Sequence, residues 1–339
     1  MSRRDLDEDD VRVRPNRRGS RPRSKDRPRH EDATIGFVTG VDRGRYTTLV
    51  DQGGSDERIV LAMKARELGR KGIIVGDRVA LVGDHGGGPD ALARIVRIEP
   101  RASVLRRSAD DTDPVERGIV ANVDQLVVVA ALADPPPRPR LIDRCLVAAY
   151  DAELDPLLVL TKSDLVDPSD FLGQYAPLEV PYVVTSDRGA QFDGLENVRA
   201  LLAGRVSVLV GHSGVGKSTL VNALVPTADR ATGAVNDVTG RGRHTSTSAV
   251  ALRLPGGGWV IDTPGIRSFG LAHVDPQRII EHFPDLEPGT AECPRGCTHD
   301  EEECALDAWV ASGAAGPAGP ARLDSLRRLL RTRTAQQGD

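Results

Sequence analysis

The run Gly211-His212-Ser213-Gly214-Val215-Gly216-Lys217-Ser218-Thr219 satisfies G-x-x-x-x-G-K-[ST] at every fixed position. Residues of this kind bind phosphate. The glycines let the backbone curl so that successive N–H groups point inward, and a following helix adds its positive end. Lys217 would reach the β- and γ-phosphates, and the Ser218 hydroxyl would ligate Mg²⁺. About 45 residues later an apolar strand ends in Asp262-Thr263-Pro264-Gly265. There Asp262 would hold Mg²⁺ through water and the Gly265 N–H would meet the γ-phosphate. A third stretch, Thr161-Lys162-Ser163-Asp164, fits [NT]-K-x-D. Asp164 would accept from guanine N1–H and from the exocyclic amine, which adenine cannot offer, and mispairing would leave buried polar groups unpaired. The Lys162 stem would lie over the base. Thr161 stands where an asparagine is usual, so a side-chain amide is lost. Thr185 and Ser186, at another strand end, would present a backbone N–H to guanine O6. Without the phosphate loop, Thr161–Asp164 reads equally well as a capped helix start.

Two further groups carry chemistry. Between the phosphate loop and Asp262 lies Gly240-Arg241-Gly242-Arg243-His244-Thr245-Ser246-Thr247-Ser248. Glycine, arginine and hydroxyls without apolar anchors read as a switch loop, with Thr245 or Thr247 as a Mg²⁺ ligand. Ile266 occupies the place where a water-orienting glutamine would sit, so intrinsic hydrolysis should be slow. His244 is the nearest alternative catalytic side chain, and it reads equally as a solvated loop residue. Towards the C-terminus, Cys293-x₃-Cys297-x-His299-x₄-Cys304 gathers three thiols and an imidazole, a set that suits one structural, tetrahedral Zn²⁺ per chain.

The elements that must position these groups follow from the pattern. Val206–Val210 reads as the strand entering the phosphate loop, and the helix begins at its far end. Strands are expected at Asp124–Leu132, Pro156–Leu160, Val180–Thr185, Ala249–Leu254 and Gly258–Asp262. Helices are expected at Leu141–Leu154 and Leu195–Leu202. That alternation implies a largely parallel sheet. In it the guanine motif precedes the phosphate loop, the reverse of the regular GTPase order. A closed site tolerates this if the chain is cut and rejoined at surface loops. The expected core is therefore a circularly permuted α/β P-loop GTPase, residues 119–272.

Upstream, five short runs between 33 and 100, punctuated by glycines, suit a five-stranded β-barrel of the OB-fold kind. A short helix is expected at 64–71. The barrel reads as an RNA-binding face or as a site of protein contacts. Residues 101–118 read as a connector. Residues 273–339 form the expected helical zinc-binding domain, with helices at Leu306–Val310 and Arg322–Leu330 and a flexible linker at 315–320. The arginines Arg322, Arg327, Arg328 and Arg331 would meet phosphate or solvent. Residues 1–32 form an expected disordered basic tail, with nine Lys/Arg against one acid from Val11 to His30. It reads as an arm for a nucleic-acid backbone or as a solvated tail. The chain has 339 residues, a net charge of −4, 3% aromatics and four cysteines. No apolar run reaches the ~20 residues of a membrane helix, and the N-terminus is charged, so a cytoplasmic protein is expected.

On Ala121–Gln125, Leu160–Leu165, Gly211–Thr219, Gly242–Thr245, Asp262–Arg267 and Cys297–His299, the chain resembles the ribosome small-subunit-dependent GTPase family (RsgA, also called YjeQ). The likeness spans about residues 33–335. It implies an OB-fold, a permuted GTPase and a zinc domain. It further implies GTP hydrolysis to GDP, stimulated by the small (30S) ribosomal subunit late in its maturation, with rRNA contact. The expected partners are that subunit with its rRNA and GTP or GDP, with no membrane, and the chain is expected to be a monomer. The resemblance also implicates His244 in hydrolysis. Both zinc intervals are one residue shorter than the family's. The alternatives are a nucleotide-gated RNA-binding scaffold and a large-subunit assembly GTPase.

Overall fold

The computed structural model describes residues 30–69, 72–86, 88, 91–108, 116–189, 191–226, 249–263, 271 and 274–334. The basic tail up to residue 29 and the switch loop lie outside them.

Five strands, β1 (Thr34–Asp42), β2 (Arg45–Val50), β3 (Arg58–Lys64), β4 (Arg78–Gly83) and β5 (Ala93–Ile98), close into a barrel. Their order is β1-β2-β3-β5-β4, with β4 pairing back on β1. Val38, Val60, Ala62, Val79, Leu81 and Ile95 fill its interior. The helix expected at 64–71 is one 3₁₀ turn, Arg66–Leu68.

The stretch expected as a connector is not structureless. It holds β6 (Val104–Ser108) and β7 (Glu116–Ala121), an antiparallel pair. Beyond it come β8 (Gln125–Ala131), α1 (Pro139–Asp151), β9 (Asp155–Thr161), α2 (Ser169–Tyr175) and β10 (Tyr182–Val184). The short pair β11 (Ser186–Asp187) and β12 (Phe192–Asp193) follows, then α3 (Leu195–Leu202), β13 (Val206–Val210) and α4 (Lys217–Leu224). Past the switch region lie β14 (Val250–Arg253) and β15 (Trp259–Asp262). Strands β10-β9-β8-β13-β15 run parallel, and β14 is antiparallel to β15.

Alternation along β8 divides its residues between two cores. Val127, Val129 and Ala131 pack with Val198 and Leu202 of α3 and with Leu220 and Leu224 of α4. Leu126, Val128 and Ala130 belong to the opposite core with Leu146 of α1. That second core continues into the C-terminal elements α5 (Pro276–Ile280), α6 (Ala305–Ala311) and α7 (Gly319–Thr334) through Phe283, Leu306, Leu326 and Leu329. Each fully buried aliphatic side chain of this kind contributes about 1.5–3 kcal/mol. The linker expected at 315–320 is also ordered. Ala315 is buried, and α7 begins at Gly319.

The barrel meets the following segment at β14 and at the β6–β7 pair. Gly40 of β1 pairs with Val250 of β14, which makes one eleven-stranded sheet. Beside it Arg253 clamps Glu57 with two bonds of 2.6 and 2.8 Å. At the second junction the Ala121 N–H donates to the Val75 carbonyl, and the Asn122 amide donates to Gly76 O at 2.8 Å. A Cβ on Gly76 would lie 1.9 Å from Ala121 O, so only glycine allows this approach. Among the described residues, no helix is long and apolar enough to cross a membrane.

Candidate functional site

The phosphate loop is moored from below. A Cβ on Gly211 would sit 2.5 Å from the Val129 carbonyl oxygen, so the loop can hug β8 only with glycine there. Gly214 and Gly216 take φ of +85° and +88°, where L side chains are strained. Val215 plugs the core with 1% exposure. Helix α4 starts at Lys217 behind Gly216, and no side chain caps it, so its first-turn N–H groups remain for an anion. Ser213, Ser218 and Thr219 are exposed along the same turn. His212 is half-buried, and burial, then the Arg138 charge, holds its pKa below the ordinary imidazole value.

Leu209 of β13 is in register with Asp262 of β15, so both strands end at one edge of the sheet. There Lys217 Nζ forms an ion pair with the Asp262 carboxylate. The Thr263 hydroxyl donates to Leu209 O at 2.7 Å, fixing the turn out of β15. Hydroxyl and carboxylate oxygens from Ser218 and Asp262 are the hard donors that suit Mg²⁺.

The guanine-type motif ends β9, two strands away from β13, because β8 lies between. Thr161 is buried, and its hydroxyl donates to Val215 O at 2.6 Å. Lys162 adopts φ +60° and its ammonium bonds the Asp134 carbonyl. The Ser163 N–H donates to Thr185 O at 3.2 Å, and the Thr185 N–H to Leu160 O at 2.7 Å. Thr185, just past β10, and Ser186, which opens β11, are buried, while Asp164 is exposed in the turn after β9. Thus 161–164, 185–186, 211–219 and Asp262 all meet at the carboxyl edge of the parallel strands, the usual place for a ligand in such a sheet. Gly265, His244, Thr245 and Thr247 lie outside the described residues.

A second cluster sits in the C-terminal segment. The ligand atoms of Cys293, Cys297, His299 and Cys304 all lie within 4.8 Å of one another. Cys293 Sγ is 3.9 Å from Cys304 Sγ and 3.6 Å from His299 Nδ1. A tetrahedron with Zn–S of about 2.3 Å and Zn–N of about 2.0 Å has edges of about 3.8 and 3.5 Å. With the shortened intervals the two separations at Cys293 already match these edges, while all four atoms lie within 4.8 Å of one another. Positive φ at Gly296 (+82°) and His299 (+67°) makes the tight turns possible. Cys297 also receives the His299 N–H at 3.3 Å, and Glu301 anchors the Thr298 N–H at 3.0 Å. Burial, with help from Glu301 and Cys304, pushes the Cys297 thiol up to about 12.

The α7 arginines are held by acidic residues from other segments, Arg322 and Arg327 largely withdrawn from solvent and Arg331 still exposed. Buried Arg322 grips Asp285 Oδ2 at 2.7 Å and Glu179 at 3.0 Å, donates to Pro177 O, and lies over the Phe283 ring. Arg327 makes a two-pronged pair with Asp307 and donates to His299 O at 3.0 Å. Arg331 pairs with Asp300. Arg328 Nε lies 3.1 Å from buried Asp143 of α1 without hydrogen-bond alignment, and Asp143 Oδ1 has no partner. Helix α7 thereby ties the cysteine cluster to α1 and to the turn after α2.

A family model for the RsgA GTPase matches residues 98–272. The small ribosomal subunit biogenesis GTPase RsgA of Shewanella oneidensis is 37% identical over 301 residues, 85% of this chain and 83% of that one. Its Pseudomonas aeruginosa counterpart is 40% identical over 268 residues, 76% of this chain and 75% of that one. Among solved structures, YjeQ from Thermotoga maritima matches with TM-score 0.63 and 27% identity over 90% of this chain and 99% of that one. YloQ, a circularly permuted GTPase, matches in fold with TM-score 0.62 at 23% identity, over 91% of this chain and 98% of that one.

Proposed function

The chain belongs to the RsgA GTPase family, and from that premise we propose that it hydrolyses GTP to GDP in the late maturation of the small (30S) ribosomal subunit. The observation that carries the reading is the convergence of the phosphate loop, Asp262 and the 161–164 motif at one sheet edge, although the motif precedes the loop in sequence. Within that edge, the loop amides and the first turn of α4 bind the phosphates. Lys217 exchanges the Asp262 carboxylate for the β- and γ-phosphates, since the two anions compete for one ammonium. Asp164 takes the guanine edge, and Thr185 and Ser186 offer backbone to O6. Bound Mg²⁺, held by Ser218, Asp262 and Thr245 or Thr247, would neutralise developing charge. His244 orients the attacking water, because the Ile266 side chain has no hydrogen-bonding atom. Cys293, Cys297, His299 and Cys304 hold a structural Zn²⁺, as three thiols and an imidazole gathered within 4.8 Å suit that ion. The barrel and the N-terminal tail supply rRNA contact, in the cytoplasm, and the chain acts as a monomer.

The test is GTP hydrolysis by the purified chain, alone and with small or large ribosomal subunits. Stimulation by small subunits alone is the expected result. Stimulation by large subunits would assign the chain to the other particle. Tight GTP binding with no stimulation by either would make it a nucleotide-gated scaffold.

A further inference from the structure

We propose that Arg327 of α7 is a positioning residue of the cysteine–histidine centre: its guanidinium bridges His299 and the start of α6, and so holds the last two metal ligands in place. The inference rests on the zinc reading above. All three guanidinium nitrogens are committed. Nε donates to the His299 carbonyl at 3.0 Å, and Nη1 and Nη2 donate to the two Asp307 carboxylate oxygens at 2.9 and 2.6 Å. Asp307 lies in the first turn of α6, just behind Cys304, and its own N–H donates to the Cys304 carbonyl at 3.3 Å. One side chain thus spans the interval from the third ligand to the fourth. The Arg327 side chain is 16% exposed, so water competes weakly for these bonds.

The bridge acts where the backbone most needs support. His299 sits at φ +67°, a region strained for a residue with a side chain. Its N–H is given to Cys297 Sγ at 3.3 Å and its carbonyl to Arg327, so the peptide groups on both sides of it are pinned. On the near side, Glu301 accepts from the Thr298 N–H at 3.0 Å and from the Thr298 hydroxyl at 2.8 Å. With its backbone held this way, His299 places Nδ1 3.6 Å from Cys293 Sγ and 3.9 Å from Cys304 Sγ. Charge works in the same direction. Three thiolates outnumber the positive charges of Zn²⁺, so the loaded centre is anionic, and a fixed guanidinium beside it favours the loaded state. Lysine would keep the charge but hold one end only, because a single ammonium lacks the planar fork.

The experiment measures zinc affinity of the full chain by competition with a chromophoric chelator, and follows cobalt(II) in the same site by its visible bands. GDP titration checks that each variant is folded. Arg327→Met is expected to weaken zinc by about 10- to 100-fold with GDP affinity unchanged. Arg327→Lys is expected to remain at least about 10-fold weaker than the parent. Arg322→Met loosens the same helix away from the centre and is expected to bind zinc within about 2-fold of the parent. If Arg327→Met does not fold, Asp307→Asn cuts the other end of the bridge at a carboxylate that is 51% exposed, and is expected to weaken zinc by about 5-fold. Parental zinc affinity in Arg327→Met (or Asp307→Asn), parental affinity in Arg327→Lys, or an equal loss in Arg322→Met would each overturn the positioning role. A parent that binds neither zinc nor cobalt would bring down the zinc reading itself, whereas a parent that binds and variants that match it bring down Arg327 alone.

Discussion

Replacing Arg322 with methionine tests whether α7 is held by charge or merely decorated with it. Arg322 is 6% exposed on its side chain and Asp285 is 24% exposed, whereas Glu179 is 74% exposed. Removing one partner of a buried pair costs about 3–5 kcal/mol, because the other charge is left desolvated. The exposed Glu179 arm contributes at most about 1 kcal/mol. Methionine regains part of the contact with Phe283, worth about 0.3–1.5 kcal/mol, and partial exposure of Asp285 lowers the penalty further. The net expectation is a loss of about 3 kcal/mol. With a urea m-value near 3 kcal/mol/M for a domain of this size, the midpoint falls by about 1 M. The chain has two tryptophans, and Trp309 Nε1 donates to Asp285 O at 2.9 Å. Fluorescence of Trp309 in a Trp259→Phe background therefore reports on this junction. Arg331→Met is the control, since that pair is 64% and 32% exposed and is expected to move the midpoint by less than about 0.3 M. Equal midpoints for Arg322→Met and its parent would refute the argument.

Asp143 should make stability fall as pH rises. Burial lifts its carboxyl from 3.8 to about 6, against the pull of Arg328 and Tyr175. The folded state therefore binds the proton more tightly, and the group's contribution is complete below about pH 3.8 and lost as pH passes 6. Urea melts should show Asp143→Asn gaining on the parent by up to about 3 kcal/mol between pH 4 and 7, and a constant difference would contradict the assignment. Chelation should release one metal per chain and change Trp309 fluorescence, while GDP affinity, measured by titration, should change less than about 3-fold. Loss of both together would show that the cysteine cluster supports the nucleotide site directly.

Much of this site was legible because its chemistry is local. The phosphate loop and the cysteine cluster each lie within a dozen residues, and the strand pattern at Val206–Val210 and the helix pattern at Leu195–Leu202 match the observed elements. What escaped depends on partners far away in sequence. The hairpin β6–β7 is polar and unpatterned, and barrel contacts through Asn122 and Val75 hold it beside the GTPase sheet. Helix α2 is short and interrupted by Gly173, so no periodicity announced it. The arginines of α7 read as a charged face because Glu179 and Asp143 are more than a hundred residues distant, and no spacing rule connects them. The Thr161–Val215 bond was equally invisible, since a missing amide looks like a deficit until the neighbour of the hydroxyl is known.

The pairing of Gly40 with Val250 makes the barrel and the nucleotide edge two ends of one beam. Strand β14 follows the switch region and turns back into β15, which ends at Asp262. Between barrel and β14 the link is one register pair, whereas β14 and β15 share four. The barrel is thereby one strand removed from the strand that carries Asp262. In engineering terms barrel and nucleotide edge share one continuous deck of strands.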